Sequence, residues 1–312
     1  MEIRELRSLL YLADLGSLVK TADKLHLTSP AIHKHIKLLE DELGVQLYER
    51  AGRNLRLTQA AHVLLPHIRN ILLEYDAAVE ELEELKGFKR GIVRIGSGPT
   101  FSSYLLPVLL EEYQQRFPAV EIFVETGHTP QLLDELGKGA LDLAFIVSSE
   151  LSEKADFEAK VAWDFEFVLV GSPGQLPGRC SLAAARDFPF VLYRKGSVME
   201  NLIDRYFARH QFHPRVMMRL DNAEAIKAMI KSKLGVSMLP FWTIASEVRE
   251  RTLQPARLKE PPLLGRLVLV TRKPAYLSQP VKAFLEAAQD WKWKDARHPD
   301  RQTARKTARL KK

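Results

Sequence analysis

"LTSPAIHKHIKLLEDELGVQLYERAGRNLRLT" (residues 27–58) is the stretch whose reading decides the fold. Within it Ile32, Ile36, Leu39 and Leu43 recur at helical spacing, so one face of a helix is apolar. The opposite face offers Ser29, His33, Lys34 and Lys37, and no acid follows until Glu40. A helix that only meets water usually mixes both signs; this one is aimed at something negative. Thr28 is a natural N-cap, Pro30 sits in the first turn where a missing N–H costs nothing, and Gly44 ends the helix.

Upstream, Leu6, Leu9, Leu10 and Ala13 mark a first helix that stops near Gly16. Ser17 caps a second, short helix carrying Leu18, Ala22 and Leu25, and "HLT" makes a tight turn into the third. Two short helices joined by such a turn, with the small Ala22 allowing close packing, describe a helix-turn-helix. Its second helix enters the DNA major groove N-terminus first. Ser29 and Pro30 then lie at the tip, His33 and Lys37 one and two turns on, and Lys34 toward a phosphate strand. Downstream, Leu47–Tyr48 and Leu55–Leu57 flank the turn "AGRN" and predict a β-wing holding Arg50, Arg53 and Arg56, with Glu49 its only acid. The candidate DNA contacts are therefore Ser17, Thr28, Ser29, Pro30, His33, Lys34, Lys37, Arg50 and Arg53. His26 and His35 are candidate packing groups.

From Thr58, Ala61, Leu64, Ile68, Ile71, Tyr75, Ala78, Leu82 and Leu85 alternate spacings of three and four. That repeat predicts a coiled-coil seam with dimerisation residues Leu64, Ile68, Ile71, Tyr75 and Leu82. At 1.5 Å per residue the helix spans about 40 Å, enough to hold two reading heads about one DNA turn or more apart. Pro66 removes one backbone hydrogen bond and is expected to kink it.

"GFKRG" (87–91) reads as a hinge, and beyond it strand-like runs alternate with helical ones. The strands are "IVRIG", "VEIFVE", "LDLAFIV", "FEFVLVG", "FVLYR", "VMMRL", "VSMLPF" and "RLVLVTR"; "SYLLPVLLEEYQQRF" and "AEAIKAMIKSKL" are helical. The alternation predicts parallel sheets with helices on both faces. Polar breaks near Trp163–Asp164 and Pro261–Gly265 predict two subdomains joined by two crossovers. A ligand would sit at the carboxyl ends of the strands. The first such end, "GSGPTFSSY" (96–104), offers Thr100, Ser102 and Ser103 at a helix start, a setting that favours a carboxylate or similar anion. "TGHTP" (126–130), "KGS" (195–197) and "DNAEA" (221–225) are further ends.

The 312 residues suit roughly two domains of about 150 residues each. The net charge of +7 comes from residues 292–312, which hold nine Lys or Arg and two Asp; the rest of the chain is neutral. That tail reads as a basic, solvated, disordered end. The single Cys180 excludes an internal disulfide and any Cys-rich metal site, which suits a reducing compartment. "MEIRELRSLL" lacks the apolar core of a signal peptide, and no apolar run reaches membrane-spanning length, so a cytoplasmic protein without membrane association is expected. Nine scattered histidines form no HExxH, and no G-x-S-x-G elbow appears. An enzyme fused to a DNA-binding head and a ligand-free architectural protein are the weighed rivals; neither enzyme nor metal is expected.

Residues 1–90 resemble the DNA-binding region of LysR-type transcriptional regulators. The resemblance rests on "GS" at 16–17, "A" at 22, "LHLTSPAIHKHIKLLEDELGVQLYER" at 25–50 and "GRNLRLT" at 52–58. "RFPAVEI", "LDLAFI" and "GVSMLP" extend it to nearly the whole chain. It implies a winged helix-turn-helix at 1–58, a linker helix at 59–86, a hinge at 87–91 and a periplasmic-binding-protein-like α/β effector domain. The effector domain would have two Rossmann-like subdomains, 92–163 plus 265–291 and 164–264, before the tail at 292–312. Thr100, Ser102, Thr129 and Ser197 match positions where relatives often hold effectors, and Ser103 lies beside them. The resemblance further implies no cofactor beyond a small-molecule effector, taken as an anionic metabolite, a homodimer or homotetramer on double-stranded DNA, and RNA polymerase as a candidate partner.

Overall fold

The computed structural model describes residues 1–51, 54–85, 91–148, 156–273 and 277–291. The chain divides into two compact units, the first centred on residues 1–85 and the second on the residues from Gly91 on.

The first unit contains α1 (Ile3–Leu15), α2 (Leu18–Leu25), α3 (Ser29–Leu43), a hairpin of β1 (Tyr48–Ala51) and β2 (Asn54–Leu57), and α4 (Gln59–Leu85). Each of the first three helices is punctuated as its sequence demands. Glu2 and Glu5 form a capping box on α1. The Ser17 and Thr28 hydroxyls accept from Lys20 N and Ala31 N. Gly16, His26 and Gly44 close the helices in the left-handed region, where His26 is a non-glycine at φ 54°. The core gathers Leu6, Leu9 and Leu12, Ala22, and Ile32, Ile36 and Leu39. The hairpin is tied to it by Leu47, whose N–H donates to Glu40 Oε1 at 2.8 Å. His35 Nδ1 lies 2.7 Å from the Ser8 hydroxyl, so this half-buried ring packs α3 against α1, whereas His26, the other candidate packing group, is exposed.

α4 departs from the predicted seam. Ala61, Leu65, Ile68 and Leu72 are all buried in the head's own core. Ile68, expected at a dimer seam, is therefore already packed within one chain. Arg69 and Arg7 pair with Asp14 and Asp76, and Arg7 covers the Tyr75 ring at 5.8 Å, which ties α1 to α4. A second stripe, with Ile71, Tyr75 and Leu82, stays exposed, and Leu64 is half-buried. The sequence could not separate the two stripes, because apolar residues stand side by side at 64–65 and at 71–73. The spacings 61/64/68/71 and 61/65/68/72 both fit a helix.

The second unit is an α/β fold. Its elements are β3 (Gly91–Ser97), α5 (Pro99–Tyr104), α6 (Leu106–Arg116), β4 (Val120–Thr126), α7 (Thr129–Lys138), β5 (Leu143–Ser148), β6 (Phe157–Gly171), β7 (Arg179–Cys180), β8 (Pro189–Tyr193), α8 (Val198–Arg209), β9 (Arg215–Leu220), α9 (Ala223–Lys231), β10 (Ser237–Pro240), α10 (Ala245–Glu250), β11 (Gln254–Leu258), β12 (Leu263–Arg272) and α11 (Gln279–Asp290). The run predicted as one helix over 103–117 is two, since α5 ends at Tyr104 and Pro107, which lacks an N–H, sits in the first turn of α6.

The sheet is mixed rather than parallel. Its order is β4-β3-β5-β12-β6-β11-β7, with β10 on β6 and a separate β8-β9 pair. β3, β4 and β5 are parallel, whereas β12 runs antiparallel to both β5 and β6. β6 and β12 are long crossover strands shared by two lobes. β6 runs through Trp163–Asp164, and β12 begins at Leu263, so Gly265 lies inside a strand while Pro261 lies before it. Asp164 is accommodated on the surface by Arg266 Nε at 2.7 Å, and Gly265 lets Phe165 lie flat, since a Cβ there would come within 2.3 Å of the ring. The first lobe is filled by Phe101, Phe145, Trp163, Phe284 and Trp291 in stacked and edge contacts. The second centres on Phe190, Phe207 and Phe212. No helix among the described residues is long and apolar enough to cross a membrane.

Candidate nucleic-acid interface and effector cleft

The buried Ile32, Ile36 and Leu39 fix the roll of α3, and that roll decides what faces outward. Ser29, Pro30, His33, Lys34 and Lys37 line one open depression of about 480 Å³ together with Leu18 and Leu38. Five of the predicted contacts are thus brought onto one face. His33 meets the Tyr48 ring edge-on at 6.2 Å, which braces the imidazole against the hairpin. The Lys37 ammonium lies 2.9 Å from Asp41, whose hydrogen bond raises its pKa. Both groups are exposed, so water screens the pair and a phosphate can take the carboxylate's place.

Ser17 and Thr28 stand at the helix starts as the N-caps the sequence predicts. Their hydroxyls are engaged as helix caps, so they fix the helices that carry the contacting face. Arg53 lies outside the described residues, as does the Arg50 side chain, although the Arg50 backbone pairs with Leu55 in the hairpin. Arg56 is exposed directly opposite Glu49. Leu18 and Leu38 were missed. Leu38 is a helical turn beyond Lys34, a signal that was masked by the neighbouring core residue Leu39. Apolar side chains there can meet a thymine methyl group.

In the second unit the two lobes meet across the starts of α5 and α7. The Ser102 hydroxyl is 3.4 Å from that of Thr126, with Thr100 half-buried two residues earlier. Thr129 opens α7 behind His128, whose Nε2 lies 3.4 Å from Arg194 Nη2 of the other lobe. The Ser103 hydroxyl donates to Pro99 O at 2.9 Å, so it is turned onto its own helix rather than toward a ligand. The Ser197 hydroxyl accepts from Glu200 N at 3.1 Å and caps α8. Arg194 was not singled out by the sequence; it follows directly on the buried β8 and precedes the turn at Gly196.

A second cross-lobe cluster surrounds Tyr104. Its hydroxyl donates to Glu224 and its edge packs on Trp242 at 5.9 Å. The Lys227 ammonium lies 4.8 Å from its ring centroid. Burial, then the bond to Glu224, pushes the Tyr104 phenol well above its ordinary value. No group of three or more potential metal ligands occurs among the described residues.

Two family descriptions match the chain. "Bacterial regulatory helix-turn-helix protein, lysR family" covers residues 3–62, and "LysR substrate binding domain" covers residues 86–293. Among relatives, the HTH-type transcriptional activator CmpR of Synechocystis is 28% identical over 278 residues, 88% of this chain and 90% of that protein. Among solved structures, a full-length OxyR point variant from Pseudomonas aeruginosa gives a TM-score of 0.71 at 22% identity, covering 93% of this chain and 95% of that one. Full-length CbnR complexed with its target DNA gives 0.60 at 21% identity, covering 93% and 99%.

Proposed function

The chain belongs to the LysR family of transcriptional regulators, and on that premise we propose how its residues divide the work. Its function is to bind DNA through the helix-turn-helix and to answer a small-molecule effector; it is a regulator and not an enzyme. We assign reading to residues 1–58, pairing to 59–86, a hinge to 87–91, effector binding to lobes 92–163 plus 265–291 and 164–264, and an accessory basic tail to 292–312. The carrying observation is the single face of α3 that presents Ser29, Pro30, His33, Lys34 and Lys37.

On this reading Lys34, Lys37 and the wing arginines contact phosphates, while Ser29, His33 and Arg53 read base edges. Two heads joined through the exposed stripe of α4 bind a dyad-symmetric site, and effector units join dimers into a homotetramer in the cytoplasm, with RNA polymerase a further partner. A footprint on DNA upstream of the protein's own gene, repeated at several salt concentrations, tests this. A protected dyad is expected, with log K falling about 0.9 per phosphate neutralised per log unit of salt. No protection at any salt would refute it. His33→Ala should cost about 1–3 kcal/mol on the specific site and little on random DNA. Equal losses on both would remove His33 from base readout.

The effector is read as an anionic metabolite held between the lobes by Thr100, Ser102 and Thr129, with His128 and Arg194 at the rim. Its support is the polar lining at the starts of α5 and α7. Thr100→Val combined with Ser102→Ala should abolish the effector's influence on DNA binding or bending while leaving basal DNA affinity unchanged. An intact response in a reporter strain would place the effector elsewhere.

A further inference from the structure

We propose that Tyr104 and Lys227 form a carboxylate-binding site between the two lobes, which Glu224 of the same chain fills and a free carboxylate ligand takes by displacing it. One oxygen, Glu224 Oε1, accepts from the Tyr104 hydroxyl and lies 2.9 Å from Lys227 Nζ. Two donors from different lobes converge on one acceptor, which is the geometry of an anion site.

Burial separates the fixed partners from the exchangeable one. Lys227 and Glu247 have side chains only 3% and 7% exposed and lie 2.7 Å apart. Lys227 also donates to Thr243 O at 3.0 Å. Glu247 receives Ser246 Oγ at 2.9 Å and Lys231 Nζ at 3.2 Å. The Glu224 side chain, by contrast, is 66% exposed. It is not needed to start its helix, because Asn222 caps α9 by accepting from Ala225 N at 2.8 Å.

The charges point the same way. Glu224, Lys227, Glu247 and Lys231 alternate in sign along one chain of ion pairs. Without Glu224, the buried Lys227 and the 41% exposed Lys231 share the single carboxylate of Glu247, and a net positive charge is left over beside the Tyr104 phenol. Such a surplus is costly unless an anion neutralises it. Burial opposes ionisation of Glu224, yet the bonds from Tyr104 and Lys227 hold its pKa below the ordinary value, so it is a carboxylate at neutral pH. The site therefore selects a small carboxylate. Its occupancy by Glu224 joins the lobes through Tyr104, and a ligand that evicts Glu224 exchanges that tie for its own.

The proposal deepens the reading of this unit as effector-binding and rests on it for its regulatory consequence; carboxylate binding is measured separately. The probe is sodium acetate, added to full-length Glu224→Ala protein at neutral pH, with sodium chloride at matched ionic strength as control. Thermal unfolding of the variant should rise by about 3 °C at about 100 mM acetate, half-saturating on the order of 10 mM. Wild type should shift by less than about 1 °C, and Glu224→Ala with Tyr104→Phe should lose the response. If Glu224→Ala fails to fold, Glu224→Gln, which keeps the shape without the charge, replaces it. An acetate response no larger than wild type, or one that survives Tyr104→Phe, overturns the proposal. Neither result bears on the hydroxyl-lined cleft, which Thr100→Val with Ser102→Ala tests independently.

Discussion

Ile71→Glu is expected to convert the protein to a monomer in sedimentation velocity and to lower its affinity for a two-half-site operator by roughly 10²-fold or more. The side chains of Ile71, Tyr75 and Leu82 are 38%, 45% and 60% exposed on one stripe of α4. Apolar residues so arranged on a long helix are stable when a second helix covers them. A carboxylate at Ile71 would have to be desolvated in that seam without a partner. Separating the heads removes the advantage of linked binding, which is worth about 10²–10⁴ in affinity. The head itself should stay folded, because Ile71 lies outside its core. Ile68→Glu is the contrast: that residue is fully buried in the head, so the same change three residues earlier should unfold the DNA-binding unit. A dimer that survives Ile71→Glu would move the pairing surface off α4.

Lys227→Met is expected to destabilise the effector unit by about 3–5 kcal/mol in urea unfolding, because it takes from the buried Glu247 its buried cation and leaves it the part-exposed Lys231 and the Ser246 hydroxyl. The same pair makes stability depend on pH. Burial opposes ionisation of Glu247, but hydrogen bonds from Lys227, its own backbone and Ser246 hold its pKa down to about 2, against an ordinary 4.5. The native state thus binds fewer protons than the unfolded chain across that interval. The stability contributed by this carboxylate is fully present above pH 4.5 and is lost as pH falls toward 2. Lys227→Met should flatten this part of the profile. A variant as stable as wild type, with an unchanged acid limb, would mean that the pair contributes nothing.

The reading head was legible because its signals are local. Thr28, Pro30 and Gly44 punctuate α3 within a few residues, and Ile32, Ile36 and Leu39 fix its roll. The exposed face followed from those positions. Ser17 and Thr28 were legible for the same reason, since a cap is set by its immediate neighbours, and both hydroxyls accept from the backbone of the helix they start. In α4, doubled apolar residues gave two stripes where spacing alone showed one. Two crossovers were expected at these positions, but Asp164 and Gly265 hid that they are made by strands, since Arg266 and Phe165 accommodate them only across the ladder. The cluster around Lys227 could not be read at all. Tyr104 and Glu224 stand 120 residues apart, and a lone Lys on a helix carries no sign that it is buried.

The order in which the sheet is assembled has a consequence for synthesis on the ribosome. β5 is finished at Ser148, but β12, which lies between it and β6, begins only at Leu263. Throughout that interval the emerging polypeptide carries β3, β4 and β5 with an open edge at Leu143–Ile146, four residues that are buried once the fold is complete. Such an edge recruits other strands. The lobe containing residues 164–264 has its own strands and core in hand first, while the lobe that begins earlier in the chain closes last. A messenger truncated between these points would therefore yield a product prone to aggregate, and chaperone capture should be strongest for nascent chains that stop short of β12.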